Sequence, residues 1–378
     1  MTTKNQPTPA TSAGKRDPFA NALAVLKEAI AARAFPGCAF GVSSGGKVVF
    51  EGALGRFTYE ETAPAVTART VFDLASLTKV VATTAAAMRL VARGRLDLDA
   101  PLGALLPEFL AGRTASDPAR SITLAHLLAH NSGLPGNVEF FRTVTTPDAL
   151  LRACFALPVE TEPGARAEYS DPGFLLLGKA IEKLTAEELS TWTAREIFRP
   201  LGMTATTFCP PEALRPTIPP TEVDASLRHR RIQGEVQDEN AWMLGGVAGH
   251  AGLFSNVADL LRFAEAILAS GCTAAGGKLD SFFDRAVLDR FCQRQPPEGS
   301  SRALGWDTPS EPSSSGRCFA EDSIGHLGYS GCSLWIDRKA GVAVALLTNR
   351  TWPDRKNQSI RAVRPAFHDA VRHGCQQV

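Results

Sequence analysis

Apolar residues recur at helical spacing from Phe19 to Ala32, where Leu23, Leu26 and Ile30 share a face. The period then shortens. Cys38–Val42 and Val48–Glu51 read as two strands joined by Ser43-Ser44-Gly45-Gly46, and the Gly-Gly pair suits the positive φ of a tight hairpin. Thr70–Leu74 is a short apolar stretch leading into Ala75-Ser76. From Ser76 to Val91 alanines dominate and no Gly or Pro intervenes before Gly94, which predicts a helix. Leu96–Leu106, Leu124–His130, Pro147–Phe155, Pro172–Leu184, Ala186–Phe198 and Asp259–Ala269 read as further turns and helices. Near the end the two-residue period returns. Cys332–Asp337 and Val342–Asn349 read as strands around an Asp337–Gly341 turn, and Ser359–Val371 closes the chain as a helix.

Strands therefore sit at both ends and helices fill the middle. One architecture satisfies this: an α/β fold whose antiparallel β-sheet, flanked by helices, is built from both chain ends, with an all-helical domain inserted. The expected division is 18–75 plus 245–378 for the sheet domain and 76–244 for the helical domain, with the active site at their junction. Residues 1–17 are polar and rich in Thr, Pro and Ala, and read as a disordered lead-in. Pro309–Gly316 reads as an exposed loop.

Composition narrows the function classes. The 378 residues carry a formal net charge of +1, so no basic excess points to nucleic acid. No run of about 18 apolar residues is apparent, so no membrane span is expected. The N-terminus lacks the apolar core of a secretory signal, which points to a cytoplasmic location. The eight cysteines include no CxxC pair and stand in mostly apolar surroundings, the pattern of reduced, buried thiols.

Ser-x-x-Lys occurs three times, at Ser12/Lys15, Ser44/Lys47 and Ser76/Lys79. Ser12 lies in the lead-in and Ser44 in the hairpin turn, where little would hold a nucleophile. Ser76 opens a long helix. Residues three apart share a helical face, so the Lys79 amine reaches the Ser76 hydroxyl, and free N–H groups at the helix start can steady an oxyanion. A lysine acts as base only when neutral, which burial promotes. Taken alone, Ser76 reads more readily as an N-cap serine than as a nucleophile.

Two further segments add chemistry. Glu168-Tyr169-Ser170-Asp171-Pro172-Gly173 precedes an apolar run, so the Tyr169 phenol is a candidate proton shuttle. Asp171 either orients Lys79 or caps the next helix, with Pro172 at the first helical position. Gly325-His326-Leu327-Gly328-Tyr329-Ser330-Gly331 precedes a strand, and an edge strand there can supply an oxyanion N–H and pair with an extended substrate. His126 and His130 are four apart, but Leu127 stands where a metalloprotease helix has Glu, and no carboxylate or Cys cluster completes a site, so both read as structural.

Ser76-Leu77-Thr78-Lys79, Tyr169-Ser170-Asp171 and His326-Leu327-Gly328, in this order, resemble the motifs of serine β-lactamases and penicillin-binding proteins. The nearest branch is the class C-like one, with its D-Ala-D-Ala carboxypeptidases and family VIII carboxylesterases. Leu127–Leu134, Gly249–Phe254 and Leu346–Arg350 look similar too, so the likeness runs from about Ala32 to the closing helix. It implies a β-lactamase/transpeptidase-like fold and an acylated Ser76. Lys79 and Tyr169 would share the base and shuttle roles, and the N–H groups of Ser76 and Tyr329 would form the oxyanion hole. Asp171, His326, Leu327 and Gly328 would contact substrate, and no metal or cofactor is required.

Two departures bear on the substrate. The second motif ends in Asp171 where the family has Asn, and the third begins with His326 where β-lactamases have Lys. The ammonium that grips a β-lactam carboxylate is thus missing. Tyr169-Ser170-Asp171 and Gly249–Phe254 are also similar to a less characterised branch, some of it linked to cell-wall peptide amides. The expected partner is a small-molecule ester, amide or peptide substrate. The expected activity is that of a carboxylesterase. The alternatives are a D-Ala-D-Ala carboxypeptidase, muropeptide amidase or weak β-lactamase, and, from another class, a non-catalytic module that binds peptidoglycan fragments.

Overall fold

The computed structural model describes residues 17–270 and 281–377. The lead-in up to Arg16, with its Ser12/Lys15 pair, and Cys272 lie outside them. The described residues form ten strands: β1 (Gly37–Ser44), β2 (Lys47–Gly55), β3 (Phe72–Asp73), β4 (Thr207–Phe208), β5 (Pro220–Asp224), β6 (Arg230–Gln233), β7 (Leu253–Ser255), β8 (Ile324–Leu327), β9 (Ser333–Asp337) and β10 (Val342–Thr348).

Both chain ends build one five-stranded sheet in the order β2-β1-β10-β9-β8. Every neighbouring pair is antiparallel, with Cys38 opposite Thr348 and His326 opposite Leu334. Gly45 and Gly46 close the first hairpin at φ of 58° and 77°, the two left-handed positions of a type I′ turn.

The two-residue period separates two cores. Phe40, Val42, Trp335, Val344 and Leu346 face one way, onto Leu26 of the Ala20–Ala31 helix and Phe367 and Val371 of the Ile360–Cys375 helix. Ala39, Ala343, Ala345 and Leu347 face the other way, onto the Val257–Ala269 helix and the larger core beyond it. Small residues on this face let the helix come close, and large ones on the other fill the gap under the terminal helices.

Several expectations need correction. The inserted region is mostly helical but also carries β4, β5 and β6. The uniform helix expected over Ser76–Val91 is three pieces: a 3₁₀ turn at Ala75–Leu77, a π-helical stretch at Lys79–Thr84 and an α-helix at Ala85–Ala92. Side chains compete with the α-helical pattern here. Thr78 Oγ1 donates to the Ala75 carbonyl at 2.6 Å, and Thr83 Oγ1 donates to the Gly249 carbonyl at 2.7 Å. π-Helical turns of this kind gather at functional sites. The whole Ala75–Ala92 segment is long and apolar enough to cross a membrane, with mean hydropathy 1.2, contrary to the reading of the sequence; 78% of it is buried inside the protein, as a core helix is.

The thiols also differ from expectation. Cys38, Cys154 and Cys332 are buried, while Cys292, Cys318 and Cys375 are half-buried and Cys209 is exposed; all seven are free.

Candidate active site

The short sheet β3-β7-β4 presents the residues before Ser76. β3 ends at Asp73, and Leu74 N–H donates to the Leu253 carbonyl at 2.9 Å. The chain then turns sharply: Ala75 has φ of 46°, a left-handed conformation that costs a non-glycine residue about 1–3 kcal/mol. Its N–H donates to Asp73 Oδ1 at 2.8 Å. The other oxygen, Oδ2, accepts from Gln237 N–H at 2.7 Å, and the Asp73 carbonyl accepts from Ser330 Oγ at 2.7 Å. Asp73 therefore ties the nucleophile turn to two remote segments. Burial raises its carboxyl to about 6, against two backbone N–H bonds that lower it.

Ser76 is half-buried and its hydroxyl caps nothing; it accepts from Lys79 Nζ at 3.0 Å. Lys79 is fully buried and also donates to Asp171 Oδ1 at 2.6 Å and to the His250 carbonyl at 3.1 Å. The rings of Tyr169 and Phe174 flank the amine at 4.8 and 5.7 Å. Burial pulls the Lys79 ammonium down, but the Asp171 carboxylate and Tyr169 outweigh it and the net shift is upward. Resting Lys79 is thus an ammonium, where the sequence reading asked for a neutral amine.

The Tyr169 side chain stands beside both Lys79 and Ser76, close enough for each to act on its phenol. Burial raises the phenol, the Asp171 charge raises it further, and Lys79 opposes both, so Tyr169 stays protonated. Asp171 opens the Asp171–Thr185 helix without capping it. The cap is Ser170, whose hydroxyl accepts from Gly173 N–H at 3.1 Å, which leaves the Asp171 carboxylate for Lys79. His130 holds this corner: its Nδ1 accepts from Ser170 N–H at 2.9 Å, and its ring lies 4.5 Å from that of Tyr169. His126 joins Thr123 in a capping box. Both histidines have backbone-organising roles. Among the described residues no group of His, Cys, Asp and Glu is placed to hold a metal ion.

The third motif forms edge strand β8, Ile324–Leu327, and the turn after it, so an edge strand does lie here. Gly328 passes so close to the strand before Ser76 that a Cβ would lie 2.3 Å from the Leu74 carbonyl oxygen. Arginines hold the turn's carbonyls. Arg364 Nη2 donates to Gly328 and Cys332 at 2.7 and 2.8 Å, and its Nε donates to Gly331 at 3.2 Å. Arg350 Nε donates to the Tyr329 carbonyl at 2.7 Å, and Arg350 N–H to that of Ser330 at 2.9 Å. With its carbonyls turned inward, the Tyr329 N–H finds no acceptor among the described residues.

His326 is buried, and Nδ1–H donates to the Leu327 carbonyl at 2.9 Å, which leaves Nε2 as an unpartnered acceptor. Burial, with the charges of Lys79 and Arg302, holds its pKa well below the usual value. A neutral imidazole accepts a hydrogen bond here but cannot stand in for the missing ammonium.

Two lobes meet at Ser76, Tyr169 and Tyr329. One, of 310 Å³, carries His326, Leu327 and Gly328 with Arg302, Arg350, Arg361 and Arg364. Arg302 lies 3.8 Å from Asp307, but Arg350, Arg361 and Arg364 pair with no carboxylate among the described residues. Burial pulls the Arg364 guanidinium down to about 10. The other lobe, of 440 Å³, carries Asp171, Asp238, Glu239, Asn240 and Arg355. Its charges are matched: Asp238 Oδ1 lies 3.0 Å from His250 Nε2, and Arg355 bridges Glu222 and Glu239.

The structure brings together all the residues singled out at the three motifs. It adds Asp73, Asp238, His250, Arg302, Arg350 and Arg364, which sequence reasoning missed as site residues. Arg350 and His250 fall within segments already noticed for their resemblance, and Asp73 is a lone acid inside an apolar stretch.

The fold and this Ser-Lys-Tyr cluster, reached by a strained turn and faced by an edge strand, have the arrangement of a serine hydrolase. The family model named Beta-lactamase matches residues 23–366. The N-acetylmuramyl-L-alanine amidase of Bacillus subtilis (strain 168) is 31% identical over 358 residues, covering 84% of this chain and 78% of that protein. The structure of EstCE1, a hydrolase with promiscuous acyltransferase activity, superposes with a TM-score of 0.72 at 22% identity, covering 94% of this chain and 98% of that one. A class C beta lactamase from Rhodobacter sphaeroides gives 0.70 at 21% identity, covering 93% and 99%. The chain belongs to the beta-lactamase family and is a serine hydrolase of that family.

Proposed function

We propose that this chain hydrolyses an amide through an acyl-Ser76 intermediate, and that its substrate carries a carboxylate, as peptides derived from the cell wall do. Ser76 Oγ attacks the carbonyl carbon. The N–H groups of Ser76 and Tyr329 receive the oxyanion. The Tyr169 phenol, in contact with both Ser76 and Lys79, passes a proton to the leaving nitrogen. Water then attacks the acyl-enzyme along the same route in reverse.

The observation that carries the substrate class is the lobe with Arg350, Arg361 and Arg364. Three guanidiniums that pair with no carboxylate among the described residues, beside Ser76, leave positive potential that an anionic substrate group neutralises. The amidase of Bacillus subtilis, at 31% identity, supports the same reading. A carboxylesterase for small acyl esters is the second reading, favoured by the neutral His326 where an ammonium would grip a β-lactam carboxylate. Neither reading requires a metal or cofactor.

Matched substrates separate the two. An N-acyl dipeptide amide with a free carboxylate is compared with its methyl ester, alongside p-nitrophenyl esters and nitrocefin. The amide reading expects kcat/KM for the free acid to exceed that of its methyl ester by about tenfold or more, the worth of one charge-assisted hydrogen bond. Turnover of p-nitrophenyl esters alone, indifferent to the carboxylate, supports the esterase reading and overturns the first.

A further inference from the structure

We propose that Asp171 is the proton acceptor that frees Lys79 to act as the base. It takes one proton from the Lys79 ammonium when substrate fills the cleft and returns it once the leaving group has departed. The inference rests on the acyl-Ser76 reading above.

The Lys79 ammonium is fully engaged. Its three protons have three acceptors: Ser76 Oγ at 3.0 Å, Asp171 Oδ1 at 2.6 Å and the His250 carbonyl at 3.1 Å. No lone pair on Lys79 faces the serine, so Lys79 must lose a proton before it can gain one. A hydroxyl and a backbone carbonyl are too weakly basic to take it. The carboxylate is the basic group of the three and makes the shortest bond.

The surroundings favour the transfer on substrate binding. Lys79 is 0% exposed and Asp171 is 23% exposed, its open side facing the lobe that Asp238 and Glu239 also line. Substrate that covers this opening removes the water supporting the carboxylate. A dry ion pair loses ground to the neutral amine and carboxylic acid. The other charged or titratable groups near Lys79 are Tyr169, Asp238, His130, His326 and Arg302. Asp238 is engaged by His250, and burial keeps His130 and His326 neutral, so neither ring readily takes a proton from Lys79. Tyr169 is no better as the base, because the adjacent carboxylate opposes a phenolate.

The protons balance. Lys79–NH₃⁺ and Asp171–COO⁻ become Lys79–NH₂ and Asp171–COOH. As the Oγ–C bond forms, the Ser76 proton moves to Lys79. As the C–N bond breaks, Lys79 sends that proton through Tyr169 to the departing nitrogen. Asp171 then reprotonates Lys79. An asparagine at this position has no basic oxygen to do this, so the Asn-to-Asp departure changes the base chemistry rather than the substrate contact.

The test is single-turnover acylation of the full chain by p-nitrophenyl acetate, followed against pH for the wild type, Asp171→Asn and Asp171→Glu. With an internal acceptor no proton leaves for solvent, so the wild-type rate is level across roughly pH 6 to 8. In Asp171→Asn the proton must go to water, and the rate climbs about tenfold per pH unit until Lys79 is neutral. Asp171→Glu, which keeps an acceptor, restores the level profile at a reduced rate. A wild-type and an Asp171→Asn profile of the same shape and height overturns the proposal. If Asp171→Asn does not fold, Asp171→Glu decides it: a level profile supports the acceptor, a climbing one overturns it. Failure of the wild type to form an adduct at Ser76 instead removes the acyl-serine reading itself.

Discussion

Lys79 and Asp171 stand 92 residues apart in the chain and 2.6 Å apart in space, with the lysine wholly buried. The contact ties the first helical turn after the nucleophile to the first turn of the Asp171–Thr185 helix. Breaking one side leaves a buried charge. Asp171→Leu is expected to destabilise the fold by about 3 kcal/mol, whereas Lys79→Met combined with Asp171→Leu recovers most of that loss. Denaturant unfolding of the two single variants and the double variant checks this; equal destabilisation by all three contradicts it.

Arg364 is expected to act on the reaction without touching substrate chemistry. It donates to the Gly328, Gly331 and Cys332 carbonyls and so sets the direction of the Tyr329 N–H. Arg364→Met should lower kcat by roughly 10²-fold, the scale of losing one oxyanion donor. Arg364→Lys, which keeps a single point donor, should recover part of it. A change confined to KM means that the arginine serves binding alone.

Gly328→Ala places a methyl 2.3 Å from the Leu74 carbonyl oxygen. The turn must retreat from the nucleophile strand. Activity should fall by more than tenfold while the melting temperature moves little, since the strain is local. Unchanged kcat argues against a role for this close approach.

Acid should weaken the fold. His130 and His326 are held well below the usual histidine range by burial, and His368 is pushed down to about 4 for the same reason. The folded chain therefore binds fewer protons than the unfolded chain below about pH 6.5, and stability is lost as pH falls from there towards the folded pKa values. Each buried histidine contributes roughly 1 kcal/mol of loss between about pH 6.5 and 5.5. Asp73, raised to about 6, works in the opposite sense below that pH and offsets part of it. Calorimetric melting across this range should show the fall. His368→Gln should flatten it, since its Nδ1–H donates to the Ser314 carbonyl and its Nε2 accepts from Ser333 without touching the active site.

Local patterns made much of this legible. Gly45-Gly46 announced a hairpin whose φ values bear it out, and the alternation in Val342–Asn349 placed β10 to within a residue. Ser76, Tyr169 and His326 were each ambiguous alone and converge in space. What stayed hidden was set by long-range contacts. The break in the Ser76–Val91 helix goes with threonine hydroxyls bonding remote backbone groups, Thr83 donating to the Gly249 carbonyl and Thr78 accepting from Leu253 N–H, which no propensity registers. The strand Ile324–Leu327 carries a glycine and a histidine among its four residues and is held as a strand by its neighbour β9. Asp171 was readable either as a partner of Lys79 or as a helix cap, and the choice stayed open because nothing local reveals that Ser170 does the capping. Nothing local marks Arg364 on the closing helix, yet it is almost wholly buried against the turn after β8.

The central claim is that Ser76 is acylated with help from Lys79, and covalent labelling tests it most directly. The protein is incubated with a fluorophosphonate and with a labelled penicillin, and the adduct is mapped by mass spectrometry. The account predicts an adduct on Ser76 that is absent in Ser76→Ala and slowed in Lys79→Ala. An adduct on another residue, or none with any acyl donor, contradicts it.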